Sequence, residues 1–300
     1  EAYGVRGDES SGLVGDASIS IYGDIIDFGT NAYMRFSGGD NWGYTTDAAV
    51  GSSIVYINAT QLNMQNAVID AYGSQSDTLS TFTIQINPSA SNNTTTIYAS
   101  TIKGSDYFNL SSQSDVSILS STFDFDQNND GDLFIYNINN LLINNSNFQF
   151  DIGSPTLNFT SNKQTISGTN IDLANAGAVS SKFFSITGLL NISNSNINQQ
   201  SPDGSTTTLT IKAPRNNIII EPTTTLNASG ADASQSVGDT STVTIEAYNI
   251  TLGDSTRIIS GIGNDTTDSI SVDGGDDSTF TLRAYQNLTF GSNVKIEAYG

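Results

Sequence analysis

Cysteine and histidine are both absent from the 300 residues. Without cysteine there is no disulfide, no iron–sulfur cluster and no thiol chemistry. Without histidine there is no Ser–His–Asp triad, no His-based zinc site and no general base of the commonest kind. Cations are scarce: 10 Lys and Arg stand against 30 Asp and Glu, a formal net charge of −20 and a pI near 4.1. Such a surface repels nucleic acid and anionic lipid and attracts divalent cations. No apolar run reaches the roughly 18 residues that a membrane-crossing helix needs, so no membrane insertion is expected. The chain opens on Glu1 with no initiator Met and no basic-then-apolar leader, the expectation for a processed chain or an excised segment.

What remains is polar but patterned. Hydrophobic residues make up 36% and charged residues only 13%, with Ser, Thr, Asn and Gly filling the difference. Ile, Val, Thr, Tyr and Phe recur at regular intervals, which argues for an ordered, strand-rich chain rather than disorder.

Internal repeats decide the fold class. Thr208-Leu-Thr-Ile-Lys-Ala213, Thr242-Val-Thr-Ile-Glu-Ala247 and Thr279-Phe-Thr-Leu-Arg-Ala284 are one pattern, repeated after 34 and then 37 residues. Each alternates polar and apolar residues, the period of a half-buried strand. A second strand follows each one (Ile218–Ile220, Asn249–Gly253, Asn287–Gly291), and then a third (Thr225–Gly230, Arg257–Gly261, Lys295–Gly300). The same unit stands near the start, in Ser18–Tyr22, Ile25–Asn31 and Tyr33–Gly38, and again in Val55–Ala59, Leu62–Met64 and Val68–Gly73. The middle of the chain carries Ile-x-x-(Ser/Thr/Asn)-x-(Ile/Phe), beginning at Ile97, Ile118, Ile143, Ile166 and Ile192, with starts 21, 25, 23 and 26 residues apart.

A coil of three short strands cannot bury enough surface to stand alone, so the coils must stack. The sequence therefore predicts an all-β fold, a right-handed parallel β-helix (β-solenoid) of about ten coils, the hand following from the bias of parallel crossovers. Coils are expected to start near residues 17, 53, 82, 107, 133, 157, 183, 208, 242 and 279. At roughly 4.8 Å per coil they would span about 48 Å. The Asn, Ser and Thr positions fit the corners. Residues 1–300 are expected to form one solenoid segment of a longer shaft or fibre, with protruding inserts near 38–52, 126–132, 229–240 and 262–278, and lesser ones at 5–16, 87–93 and 198–204.

The units 242–261 and Phe280–Gly291 resemble the haemagglutinin-type repeats of filamentous-haemagglutinin-like secreted exoproteins. That resemblance implies a right-handed β-helical shaft on a large secreted bacterial adhesin, with no catalytic residues to carry over. It covers the repeats at both ends well and the middle by general pattern. Glu1-Ala-Tyr-Gly4 and Glu297-Ala-Tyr-Gly300 both read as the tail of a coil, as does Asp70-Ala-Tyr-Gly73 inside the chain.

Candidate sites are few. Asp126, Asn128, Asp130 and Asp132 alternate oxygen side chains around a Gly, as a tight Ca²⁺ loop does. Asn137 occupies the twelfth position, where an EF-hand needs Glu, so the competing reading is a polar insert between coils. No cofactor is required, and Ca²⁺ is an optional ligand; Asp273–Asp277 is a weaker case. Arg6-Gly7-Asp8 matches the tripeptide of integrin ligands but equally a solvated turn. Trp42 and Tyr44, beside Asn and Asp in the insert 38–52, could grip a sugar face or pack over the core. N-glycosylation sequons stand at Asn58, Asn93, Asn109, Asn158, Asn191, Asn249 and Asn287, and further ones at Asn92, Asn144, Asn227 and Asn264. The acids Asp24, Asp27, Asp124 and Asp126 would be the carboxylates of a β-helical polysaccharide-degrading enzyme, a distant alternative, because five Lys and five Arg are dispersed along the chain.

The functional expectation is a secreted or cell-surface, non-catalytic structural protein that self-associates end to end. The alternative is an adhesin module binding surface glycans or a host surface protein. An ice-binding solenoid is more remote, since the Thr-x-Thr pairs at 208–210, 242–244 and 279–281 occupy only three of the expected coils.

Overall fold

The computed structural model describes residues 2–3, 17–37, 53–72, 81–87, 94–104, 106–125, 131–150, 154–173, 178–201, 206–230, 240–262 and 277–298. Among them the chain is all strand and turn, with no helix. The strands form one sheet of 11 in continuous order and one of 13, of which 11 run in continuous order and two pair alongside, and every pairing is parallel.

The eighth repeat shows how one layer is made. The strand Thr207–Ile220 runs along a first face as far as Ala213 and turns a corner where the register shifts. It then continues along a second face from Asn217. A short turn leads to Thr225–Gly230, which lies in the other sheet and forms a third face. The next layer repeats this with Thr240–Leu252 and Arg257–Ile262, each paired in register on its predecessor. Ten such layers lie among the described residues, their first strands beginning at Ala17, Ser53, Thr81, Tyr107, Asp132, Thr156, Val179, Thr207, Thr240 and Asp277. Nine of these fall within two residues of the sequence expectation. The seventh begins four residues early, because Val179-Ser-Ser-Lys182 is too polar to read as a strand, yet it pairs in register with the layers on both sides.

Layers differ in whether the first corner breaks the strand. Layers 3, 4 and 7 are broken there; on either side of the first two (Thr81–Ile86 with Thr94–Tyr98, and Tyr107–Ser112 with Asp115–Leu119), Ser53–Gln65 and Asp132–Asn144 run through it. Those six strands therefore close a ring of pairings, the two unbroken ones each serving two partners.

Alternation sends every second side chain inward. Ile118, Ile143 and Ile166, the marker residues of the middle repeat, are all 0% exposed and sit in one column. A run of phenylalanines fills layers 3 to 7, with neighbouring ring centroids 5.2 Å apart for Phe82–Phe108, 4.7 Å for Phe123–Phe148 and 5.4 Å for Phe159–Phe183. Burial of these rings, together with the Ile and Leu columns, drives stacking. The Thr-x-Thr pairs occupy outward positions in register, Thr208 on Thr242 on Thr279 and Thr210 on Thr244 on Thr281.

The corner before the third face is the most regular feature. One residue in each layer has a left-handed backbone there: Asn31, Asn66, Ala99, Ser120, Asn145, Gly168, Asn194, Thr223, Ser255 and Asn293. Asparagine tolerates this conformation best after glycine, which accounts for its recurrence. The next residue points inward and is small: Ala67, Ser100, Ser121, Ser146, Thr169, Ser195, Thr224 and Thr256 are all buried. In the middle layers its hydroxyl donates to the carbonyl two residues back, as in Ser100 to Tyr98 at 2.9 Å and Ser195 to Ser193 at 2.7 Å. It also accepts the backbone N–H of the equivalent residue one layer earlier, as Ser146 does from Ser121 at 3.2 Å. The Ser/Thr position of the middle repeat is this ladder.

Part of the expected insert at 198–204 is instead strand: Asn196–Ser201 pairs with Thr225–Gly230 through Ser201. Asn198 continues an outward amide ladder between Asp172 and Asn227, and Gln199 points into the core. Most of the other expected inserts lie outside the described residues.

Candidate ligand-binding face

The outward positions of the first face form columns that run through all ten layers. Near the start of the stack they bring together Tyr22, Tyr56, Asn58 and Gln85, since Tyr22 registers on Asn58, and Asn58 on Gln85. Tyr22 is 70% exposed, and its ring centroid lies 5.8 Å from that of Tyr56.

Beside this pair four side chains close a cycle. The Tyr56 hydroxyl donates to Gln85 Oε1 at 2.7 Å. Gln85 Nε2 donates to Asn87 Oδ1 at 3.4 Å, and Asn87 Nδ2 to Asn58 Oδ1 at 3.2 Å. Asn58 Nδ2 then returns to the Tyr56 hydroxyl at 3.2 Å. Each group spends one donor and one acceptor on the cycle. Every amide therefore keeps one N–H and one carbonyl lone pair for a ligand, in an orientation that its neighbours fix.

Chain positions far apart in sequence are joined only through strand register, so the cycle was not read from the sequence. The visible signal is the run of outward Tyr56, Asn58, Gln61 and Asn63 in the strand Ser53–Gln65.

The expected sites are placed as follows. Asp126, Asn128 and Asp130 lie outside the described residues, as do Trp42, Tyr44, Asn93 and Arg6-Gly7-Asp8. Asp132 begins the first strand of layer 5, where its carboxylate accepts the Thr156 N–H at 2.7 Å. Among the described residues no cluster of three acids could hold a metal. Asp24 and Asp27 belong to layer 1, where Asp27 accepts from Asn63 at 2.6 Å, whereas Asp124 lies on the third face of layer 4. The structure does not bring these carboxylates together.

Asn92 and Asn264 also lie outside the described residues, and the other sequons point outward from strands. Asn58 belongs to the cycle, and Asn109 and Asn158 lie in the neighbouring column of the first face, two layers apart. The Asn158 carbonyl accepts from its own sequon hydroxyl, Thr160, at 2.8 Å. Asn191 donates to Glu221 at 3.3 Å. Asn249 and Asn287 form a ladder with Asn217 on the second face, with amide bonds of 2.8 and 2.9 Å. Adjacent members of such a ladder are only about 4.8 Å apart, too close for a glycan on each.

Charge is organised on the third face. Arg35, Asp70 and Lys103 alternate in one column. Arg35 Nε lies 3.9 Å from the Asp70 carboxylate, and the Tyr33 hydroxyl donates to it at 3.3 Å. Burial pushes the Asp70 carboxyl above its ordinary range, against the opposing pull of Lys103, Tyr33 and Arg35. On the first face, Glu246 is held below its ordinary range, first by the Tyr285 hydroxyl bond and then by Lys212, 3.2 Å away.

The chain matches no protein-family model, no curated protein and no solved structure.

Proposed function

We propose that the chain is a non-catalytic extracellular structural protein, a right-handed parallel β-helical shaft of about ten coils that stacks end to end. One observation carries this reading: the inward columns run in register from layer 1 to layer 10 and are still open at layer 10. In layer 10 the side chains that continue the second- and third-face core columns are open, with Phe290 51%, Leu288 40% and Ile296 37% exposed. A further layer, from this chain or a copy, would shelter them and complete the strand edge. The right hand follows from the strong bias of parallel crossovers. The resemblance of the 242–261 and 280–291 units to filamentous-haemagglutinin-like repeats supports a secreted shaft.

Electron microscopy tests it: the native protein should give filaments one stack wide, and Phe290→Asp should shorten or abolish them. Discrete particles at all concentrations would rule the shaft out. A second reading, an adhesin module, is favoured by the exposed Tyr22–Tyr56 pair and its hydrogen-bonded cycle.

A further inference from the structure

We propose that the Tyr22, Tyr56, Asn58, Gln85 and Asn87 cluster binds an uncharged, linear polysaccharide, laid along the columns of the first face. The inference rests on the adhesin reading and names its site and ligand.

A pyranose ring has two requirements, an apolar platform for its C–H face and paired donors and acceptors for its vicinal hydroxyls. Tyr22 supplies the first, since its ring is the most exposed large apolar group among the described residues and is steadied by Tyr56 at 5.8 Å. The cycle supplies the second. Because Tyr56, Gln85, Asn87 and Asn58 each hold the next, their unused N–H and lone-pair sites are set before ligand arrives, which lowers the ordering cost of binding.

Two observations narrow the ligand. All five side chains are uncharged, and the chain carries a net charge of −20, so a polyanionic glycan is repelled. The column beside the cycle continues through Thr83, Asn109, Phe134 and Asn158. It offers a polar or aromatic side chain about every 4.8 Å along the stack, a rail for a linear chain rather than a pocket for a single sugar.

Affinity electrophoresis of the intact protein through gels containing soluble glucan, mannan, xylan or polygalacturonate tests the proposal. At least one of the three neutral polymers should retard the protein, and polygalacturonate should not. Tyr22→Ala should weaken retardation about tenfold or more, and Tyr56→Phe, which keeps the ring but opens the cycle, about three- to tenfold. Tyr98→Ala removes an exposed ring on the second face, 42% exposed, and should migrate as the parent does. Tyr56→Phe deletes a single oxygen, so it keeps the test valid if Tyr22→Ala fails to fold. No retardation by any neutral polymer, unchanged retardation of the Tyr22 and Tyr56 variants, or preference for polygalacturonate would each overturn the site. Filaments without retardation would defeat this inference alone, and retarded single particles would defeat the shaft alone.

Discussion

The hydroxyl of Ser121 accepts the backbone N–H of Ser100, one layer earlier, at 3.2 Å. The same oxygen donates to the Leu119 carbonyl at 2.9 Å, so a single buried atom closes the corner of its own layer and ties it to the one before. Ser121→Ala leaves the Ser100 N–H buried without a partner, and should destabilise the protein by about 1–3 kcal/mol. Ser121→Thr should retain most of the stability, and urea denaturation of the two variants measures the difference.

Gly168 holds the same corner in layer 6 with φ +57, and a side chain there would run into the Asn145 amide. Both the left-handed backbone and the collision oppose any larger residue. Gly168→Ala should cost about 1–3 kcal/mol, whereas Asn66→Gly, at an equivalent corner, should be close to neutral. Thermal midpoints of the two variants test this.

Gln199 points into the core of layer 7 at 0% exposure, and neither its Nε2 nor its Oε1 has a hydrogen-bond partner. Its column neighbours in the following layers are Ala228 and Ser260. Gln199→Met removes an unpaired buried amide at similar volume, and should stabilise by about 1–3 kcal/mol. A lowered denaturation midpoint would show that the amide is satisfied internally.

Repeat spacing, layer number and the inward isoleucines were legible in the sequence, because alternation and the Ile-x-x-Ser/Thr-x-Ile/Phe corner are local patterns. Ile97, Ser100 and Ile102 sit within six residues and declare strand, corner and strand together. Layer 7 was harder: Ser181 occupies an inward position that elsewhere carries Leu157 or Leu209, so the start of Val179–Ser185 looked polar. The left-handed residue at each corner is occupied by Asn, Ala, Ser, Gly or Thr, too varied to signal itself. The Tyr56–Gln85–Asn87–Asn58 cycle depends on register between layers, which no single segment encodes.

Asp70 gives the protein an unusual pH response. Burial raises its carboxyl pKa in the folded state above the ordinary 3.8. Its contribution to stability is therefore fully present below about pH 3.8 and is lost as pH rises through the folded value. Asp70→Asn removes this dependence. The stability of the parent relative to the variant should fall as pH increases from below 3.8 into the neutral range. A parent whose relative stability rises over that window would mean that the Arg35 and Lys103 charges outweigh burial.

Glu246 behaves in the opposite sense. Its carboxyl is depressed below 4.5 by Tyr285 and Lys212, so its contribution is present above about pH 4.5 and is lost as pH falls through the folded value. Glu246→Gln should lower stability near pH 7 by about 0.2–1 kcal/mol and make no difference in strong acid.

Because the chain has no cysteine, pairs of introduced cysteines can carry nitroxide labels without background. Thr83, Thr244 and Thr281 lie in one outward column, Thr83 in layer 3 and the others in layers 9 and 10. Pulsed electron spin resonance should give about 29 Å for the 83–244 pair and about 34 Å for 83–281, one layer spacing of roughly 4.8 Å longer. Equal distances for the two pairs, or either one well below 25 Å, would contradict in-register stacking of the layers.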